Sequence, residues 1–286
     1  MRTRTAEPLS ERRYAHGEGV RWDARRHELL WVDIGAGRFL RAGLEDADAP
    51  TEHVAGVPVG AVTPYASGGW LLAAGRGLHA LDEDGRVHEI VELEPEGVRM
   101  NDATCDPQGR FWAGSMAYDQ TPGAGSLHRV DPDGTVHAVL RELTISNGLG
   151  WSLDSRTLYL NDSGPSVTWA FDVDPDTARL SRRRALVEHH DGACDGMATD
   201  DEGCLWVPLW GGSAVHRFDP TGRLVDRVTL PARQPSDCCL VDGRLVITTA
   251  SDGMHDPTPH DGRLYVVDVG VGGPPVTPFA GAPPWA

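Results

Sequence analysis

The sequence predicts an all-β protein, a six-bladed β-propeller with four antiparallel strands in each blade. The composition is the first indication, because 34 Gly and 9 Trp among 286 residues suit many short strands joined by tight turns. The second indication is a repeated pair of sequence phrases. No linker-like stretch divides the chain, so we expect one domain over residues 1–286.

The first phrase is a strand, a turn usually of the D-x-x-G type, and a second strand with an apolar or aromatic core. Its copies start at residues 22, 65, 105, 152, 199 and 240. The second phrase is a hairpin, and its copies start at residues 39, 78, 127, 169 and 215, with a single strand at 264–269 after the sixth unit. Each unit therefore predicts four short strands.

A single blade cannot bury both of its faces, so such units are stable only when they pack radially against one another. A pair of β-sandwiches is the competing all-β arrangement, and the even repeat disfavours it. The residues before Ala15 are expected to add the outer strand of the last blade and to close the ring.

The bulk composition argues against several classes of partner. The formal net charge is −16, with 26 Lys and Arg against 42 Asp and Glu, which disfavours nucleic acids and anionic membranes. The charged N-terminal segment 1–14 is unlike a secretory signal, and no apolar stretch is long enough to cross a membrane. Five Cys without a C-x-x-C motif predict a reducing, cytoplasmic environment without disulfides. We take a monomer as the default.

Equivalent positions of the blades predict a polar channel. In a propeller the first strand of each blade lines the central channel, so residues that begin these strands meet in space. Counting back from each turn gives Glu18, Gly60, Asn101, Asn147, Asp195 and either Ser236 or Asp237. Clustered carboxylates repel unless a positive charge lies between them, and a hard divalent cation with oxygen ligands satisfies that need. A water-filled channel with solvated polar side chains is the alternative that the pattern leaves open.

Four motifs in order carry a family resemblance: GEG at 17–19, RMND at 99–102, SNGL at 146–149 and DGM at 195–197. Together they resemble the gluconolactonase family, which includes the regucalcins and bacterial sugar lactonases. The resemblance extends from about residue 14 to about residue 270. It implies a six-bladed propeller and hydrolysis of the ester bond of sugar-derived lactones.

The resemblance also implies roles for individual residues. It implies that one divalent metal ion, calcium first and zinc as the alternative, is held by Glu18, Asn147 and Asp195. It implies that a small-molecule sugar lactone contacts Arg99, Asn101 and an acidic residue, for which Asp119 is the nearest match. The chain departs from the family pattern in having Val20 instead of Pro after GEG, and Asp119 instead of the longer Glu.

On this basis we expect Asp195 to act as the general base that activates a water molecule. Arg99 and Asp119 would bind sugar hydroxyls, because guanidinium groups donate and carboxylates accept hydrogen bonds. Two alternatives are a related propeller esterase or phosphotriesterase, and a calcium-binding or scaffold propeller without turnover, since a fold does not decide a function.

Other notable side chains have structural interpretations. His16 is expected to be structural or exposed, and His189 with His190 to lie in a surface turn. The Pro-rich loop 252–263 is expected to be solvated, although it could rim the channel mouth. Trp151, Trp169 and Trp206 are expected in the core between blades, and Trp210 near the channel entrance.

Overall fold

The computed structural model describes residues 2–286 and confirms the predicted six-bladed β-propeller over that range. Met1, the first residue of the predicted domain, lies outside the described residues. Each blade is a sheet in which consecutive strands pair antiparallel around the central channel. Within residues 2–286, Leu44–Asp46 is the only helical segment, a single 3₁₀ turn.

The strands of each blade are given from the channel outward. Blade 1 contains Gly17–Asp23, Glu28–Asp33, Arg38–Ala42 and Thr51–Val54, and blade 2 contains Val59–Pro64, Trp70–Ala74, Gly77–Leu81 and Val87–Glu92. Blade 3 contains Val98–Cys105, Phe111–Ala117, Gly125–Val130 and Val136–Leu143, and blade 4 contains Ser146–Trp151, Thr157–Asp162, Val167–Val173 and Leu180–Glu188. Blade 5 begins with the short segments Ala193–Cys194 and Ala198–Thr199, followed by Leu205–Trp210, Ala214–Phe218 and Leu224–Thr229. Blade 6 contains Gln234–Val241, Arg244–Ala250, Tyr265–Asp268 and Glu7–Pro8.

The N-terminal segment joins the last two blades. Glu7–Pro8 pairs antiparallel with Tyr265 and Val266, so it forms the outer strand of blade 6. Arg2–Thr5 lies parallel to the outer strand of blade 5. One continuous segment therefore contributes edge strands to two neighbouring blades, which ties the start of the chain to its end.

The C-terminal segment 271–286 crosses the face where the innermost strands end. The amide of Asp201 in blade 5 donates to the carbonyl of Gly272 at 3.0 Å, and the amide of Val276 donates to Trp22 of blade 1 at 3.0 Å. Phe279 then pairs with the backbone of blade 2 beside Tyr65. These contacts hold the segment across one mouth of the channel.

The D-x-x-G turns and the core tryptophans form one repeated arrangement. In blade 3 the indole Nε1 of Trp112 donates to Asp106 Oδ2 at 3.0 Å, and in blade 5 Trp206 donates to Asp200 Oδ2 at 2.9 Å. The other oxygen of each aspartate accepts backbone amides of its own turn. The aspartate thus fixes the turn and anchors a fully buried ring between blades.

The innermost strands share an irregularity that decides where their side chains point. The strand register shifts between Glu18 and Arg21, between Met100 and Ala103, and between Ser146 and Leu149. In blade 5 the strand is interrupted between Cys194 and Ala198. Such β-bulges re-aim side chains, and here they fall at the predicted polar positions.

Among residues 2–286 no helix is long and apolar enough to cross a membrane. The five cysteines lie in the described part of the chain, where each is buried and unpaired.

Replacing Asp200 with Ala should lower the free energy of unfolding by about 3 kcal/mol, because the Trp206 indole and the Arg217 guanidinium lose their buried acceptor. Arg217 Nε donates to Asp200 Oδ2 at 2.7 Å. Asp200→Asn should cost less, since the amide oxygen still accepts from the indole. Thermal or urea unfolding measures the effect, with Asp84→Ala at an exposed turn position as the control. Equal unfolding of the Asp200→Ala and Asp84→Ala variants would contradict this account of the turn.

Candidate metal and substrate site

A cavity of about 280 Å³ opens at the mouth of the channel where the innermost strands begin. Blades 1, 3, 4 and 5 contribute its polar residues. Its lining consists of His16, Glu18, Ile34, Arg99, Asn101, Met116, Gln120, Ile145, Asn147, Ser163, Gly164, Ala193, Asp195 and Trp210.

The structure brings five of the six predicted site residues to this cavity: Glu18, Arg99, Asn101, Asn147 and Asp195. All five are buried, and Glu18 retains 4% of its exposure and Asp195 6%. Asn147 Nδ2 donates a hydrogen bond to Asp195 Oδ1, and Arg99 Nη1 donates to Asn101 Oδ1 at 2.7 Å. Residues far apart in sequence therefore form one polar cluster.

The oxygen of Asn147 is the clearest sign that this cluster suits a cation. Its Nδ2 donates to Asp195 and, at 3.1 Å, to Ser163 Oγ, which fixes the orientation of the amide. Its Oδ1 is buried and has no hydrogen-bond partner among the described residues. A buried acceptor without a partner is costly, and a cation between this oxygen and the nearby carboxylates would remove the cost.

The donor set fits a hard divalent ion. Within residues 2–286, no three His, Cys, Asp or Glu side chains are grouped as a metal site by themselves. The predicted metal ligands include only two carboxylates, Glu18 and Asp195. The third ligand is the amide oxygen of Asn147. Oxygen-only sets of this kind suit calcium, and carboxylates also bind zinc.

The electrostatics of the site also favour a positive charge. Burial, followed by the charges of Asp195, Asp237 and Asp102, raises the pKa of Glu18 well above its usual value. Burial together with Asp237 and Asp102 likewise raises the pKa of Asp195. These shifts express the free-energy cost of ionising neighbouring carboxylates in a buried channel, which a bound cation would offset.

A chain of hydrogen bonds supports the backbone of Asp195 from blade 4. Asn161 Nδ2 donates to the carbonyl oxygens of Asp195 at 2.8 Å and of Gly196 at 3.1 Å. Asn161 Oδ1 accepts from Thr168 Oγ1 at 2.6 Å, and Thr168 Oγ1 lies 2.8 Å from His189 Nε2. The prediction of a surface position is therefore wrong for His189, which is buried and whose pKa burial lowers to about 4.

Arg99 and Asn101 are fixed together on the innermost strand of blade 3. Asn101 Nδ2 donates to the carbonyl of Ser146 in blade 4 at 3.0 Å. Arg99 Nη1 donates to Asn101 and, at 2.9 Å, to the carbonyl of Met100. Within the described residues, the remaining guanidinium nitrogens of Arg99 make no hydrogen bond, so they are available to a substrate.

Asp119 is the predicted residue that the structure does not bring to the cavity. It is exposed, and its Oδ1 accepts from Thr121 N at 3.0 Å and from Thr121 Oγ1 at 2.8 Å. The same contacts lower the pKa of Asp119. The next residue, Gln120, turns into the cavity with a φ of 57°. No sequence signal distinguishes Gln120, because a single left-handed residue in the turn decides which side chain faces inward.

Apolar and aromatic residues complete the lining. The rings of His16 and Trp210 lie 5.2 Å apart between centroids, and His16 Nδ1 lies 3.4 Å from Asp252 Oδ2. Burial, followed by the charge of Arg99, lowers the pKa of His16, which favours the neutral imidazole. Trp210 therefore lies at the channel entrance as expected, and the loop 252–263 reaches the site through Asp252.

The remaining sequence expectations concern packing. Trp206 is fully buried in the core between blades, as predicted. Trp151 and Trp169 are partly buried against the core of blades 3 and 4, and Arg183 lies over the Trp169 ring. Asp261 of the loop 252–263 is fully buried and accepts hydrogen bonds from Arg233, so this part of the loop is structural.

Comparison with known proteins agrees with the fold and the motifs. Residues 16–251 match the family described as the SMP-30/gluconolactonase/LRE-like region. The chain belongs to this family. The chain is 36% identical to regucalcin of Xenopus laevis, and the alignment covers 94% of this chain and 96% of that protein.

Two solved structures of similar fold extend the comparison. A calcium-binding protein, regucalcin, from Agrobacterium tumefaciens superposes with a TM-score of 0.92 at 24% identity, covering 98% of this chain and 99% of that chain. A luciferin-regenerating enzyme superposes with a TM-score of 0.87 at 29% identity, covering 94% of this chain and 96% of that chain. Both superpositions agree with the six-bladed propeller fold.

Adding calcium or zinc ions at about 100 times the dissociation constant should raise the melting temperature of metal-stripped protein by about 5 °C, because only the folded state binds the ion. Asn147→Ala should abolish most of this rise, since it removes the unpaired oxygen. Asp119→Ala should retain it and serves as the matched control. Scanning calorimetry with and without chelator measures the shift. An undiminished rise in the Asn147→Ala variant would exclude this site.

Proposed function

We propose that the protein is a metal-dependent lactonase that opens sugar-derived lactones by attack of water. The observation that carries the proposal is the buried cluster of Glu18, Asp195 and the unpaired Asn147 oxygen beside the Arg99–Asn101 pair. Membership of a family whose description includes gluconolactonase supports the same reaction class.

Glu18, Asn147 and Asp195 would hold one divalent ion, for which we propose calcium, with zinc as the alternative. When bound, the ion supplies Lewis-acid stabilisation of the negative charge that develops on the carbonyl oxygen of the ester. The Agrobacterium tumefaciens protein of similar fold is described as calcium-binding, which supports the choice of calcium.

Asp195 is the proposed general base. Its Oδ1 is oriented by Asn147 Nδ2, so Oδ2 is the atom that accepts a proton from the attacking water. The water oxygen bonds to the carbonyl carbon, and the bond from that carbon to the ring oxygen then breaks. The proton held by Asp195 passes to the ring oxygen, which yields a hydroxy acid and restores the carboxylate.

Arg99, Asn101 and Gln120 are the proposed substrate contacts. The free guanidinium nitrogens of Arg99 donate to hydroxyl or carbonyl oxygens, and the amide groups of Asn101 and Gln120 both donate and accept. Asp119 was expected in this role, and Gln120 takes its place at the cavity wall.

A second candidate is an esterase for a lactone or ester with an apolar portion. Ile34, Met116, Ile145 and Trp210 line the cavity, which a polyol alone would not require. The similar structure named a luciferin-regenerating enzyme supports a substrate other than a sugar lactone. Phosphotriesters fall within the same candidate class.

The proposal also covers the cellular compartment, the binding partners and the oligomeric state. The five buried, unpaired thiols of the described chain support a reducing compartment, for which we propose the cytoplasm. The acidic net charge of −16 supports a small-molecule partner rather than nucleic acid or an anionic membrane. We propose a monomer as the working state.

Asp195→Ala should reduce lactone hydrolysis by at least about 10³-fold while the protein remains folded, because it removes both the base and a metal ligand. Acid release from gluconolactone, several pentonolactones and an aryl ester is followed with and without chelator. The Asp119→Ala variant should keep wild-type rates. Metal binding without chelator-sensitive turnover of any substrate would instead support a calcium-binding or scaffold protein.

Arg99→Met should raise KM for a polyhydroxylated lactone about tenfold and leave KM for an unsubstituted lactone nearly unchanged. The methionine has similar length and keeps the apolar contacts, whereas the hydrogen bonds to substrate hydroxyls are lost. Steady-state kinetics on the two lactones make the comparison. Equal losses on both substrates would show that Arg99 acts on the shared ester and not on the hydroxyls.

A further inference from the structure

An ion-paired group spans the channel behind the proposed metal site. Arg21 lies on the innermost strand of blade 1, and its Nη2 donates to Asp102 Oδ1 of blade 3 at 2.8 Å. Its Nη1 donates to Asp237 Oδ2 of blade 6 and, at 2.8 Å, to its own neighbour Val20 O. We call Arg21, Asp102 and Asp237 the channel bar.

The channel bar is deeply buried. Arg21 retains 8% of its exposure, Asp102 2% and Asp237 none. Asp237 also packs against the backbone of Gly196, because a Cβ there would lie 2.1 Å from Asp237 Oδ1. The residue after the base Asp195 therefore touches the bar directly, and any side chain at position 196 would displace it.

The bar stands between two cavities. On the far side, Arg21 lines a cavity of about 330 Å³ together with Trp22, Met197 and Cys238, and residues 274–277 of the C-terminal segment close it. Among the described residues, this cavity and the metal pocket share no lining residue. The bar thus separates the proposed substrate site from the opposite mouth of the channel.

The buried charged side chains of the channel leave a net negative charge that one divalent ion would neutralise. Glu18, Asp102, Asp195 and Asp237 are four buried carboxylates that oppose one another's ionisation. When these four are ionised, Arg21 and Arg99 offset two of the four negative charges, and one divalent ion would offset the other two. Asp102 Oδ2 is buried without a hydrogen-bond partner among the described residues, so Arg21 satisfies this carboxylate only in part.

We propose that Arg21 is a positioning residue that acts as the built-in second cation of the channel and limits it to one divalent ion. The proposal rests on the proposed metal site. Arginine suits the task because its charge is permanent and its planar donors can bind two carboxylates at once. If Arg21 were removed, the carboxylates of Asp102 and Asp237 would have no positive charge beside them and would attract a second cation.

The proposal predicts opposite changes from opposite charge substitutions. Arg21→Met should bind two calcium or zinc ions per chain, or bind the first at least about tenfold more tightly, because the channel becomes more negative. Asp102→Asn combined with Asp237→Asn should weaken binding at least about tenfold, although neither residue belongs to the proposed ligand set. Arg21→Lys should keep a stoichiometry of one.

Isothermal titration calorimetry of metal-stripped full-length protein with calcium and with zinc measures stoichiometry and Kd. One ion per chain with unchanged Kd in both the Arg21→Met and the double Asn variants would overturn the role of Arg21 while leaving the metal site intact. No binding by wild-type protein would overturn the metal site itself and the proposal with it.

A neutral variant covers the case in which Arg21→Met does not fold. The triple variant Arg21→Met, Asp102→Asn, Asp237→Asn removes the cation and both anions together. The proposal predicts that it folds and binds one ion, because no uncompensated charge remains. A triple variant that fails to fold would contradict a charge-based role and assign the bar to packing alone.

Discussion

The concentration of buried carboxylates in one channel is the constraint on which the rest of the structure depends. Closing six blades into a ring forces the starts of the innermost strands together, and four of the residues that meet there are Asp or Glu. Positive groups that lie among them reduce the electrostatic cost of this arrangement. Arg21 pairs with two of the carboxylates, and the charge of Arg99 acts on the other two. The buried Asn147 oxygen has no partner among the described residues, and we propose that a cation completes the set there.

The same constraint explains how the site is positioned. Bulges in the innermost strands turn Asn101 and Asn147 toward the channel without disturbing the sheets behind them. The backbone at Asp195 is held by Asn161, which is itself held by Thr168. Rigid sheets and buried hydrogen bonds therefore maintain a polar geometry that flexible loops would not preserve against carboxylate repulsion.

Much of the fold and part of the site could be predicted from the sequence. The D-x-x-G turns and the buried tryptophans repeat because each blade uses the same turn, so the pattern is readable. The polar residues at one repeat position also meet as predicted. Gln120 and His189 could not be predicted, because a left-handed turn residue and a cross-strand hydrogen bond decide where they lie. The sequence left Ser236 and Asp237 as alternatives, and only the packing shows that Asp237 reaches Arg21.

The central claim is that one divalent ion lies between Glu18, Asn147 and Asp195. The most direct measurement is a crystal structure of the protein with bound zinc or calcium, with data collected on both sides of the zinc absorption edge. The account predicts one anomalous difference peak within about 2.5 Å of oxygens from all three residues. A peak elsewhere in the channel, or a channel without an ion at saturating metal, would contradict it.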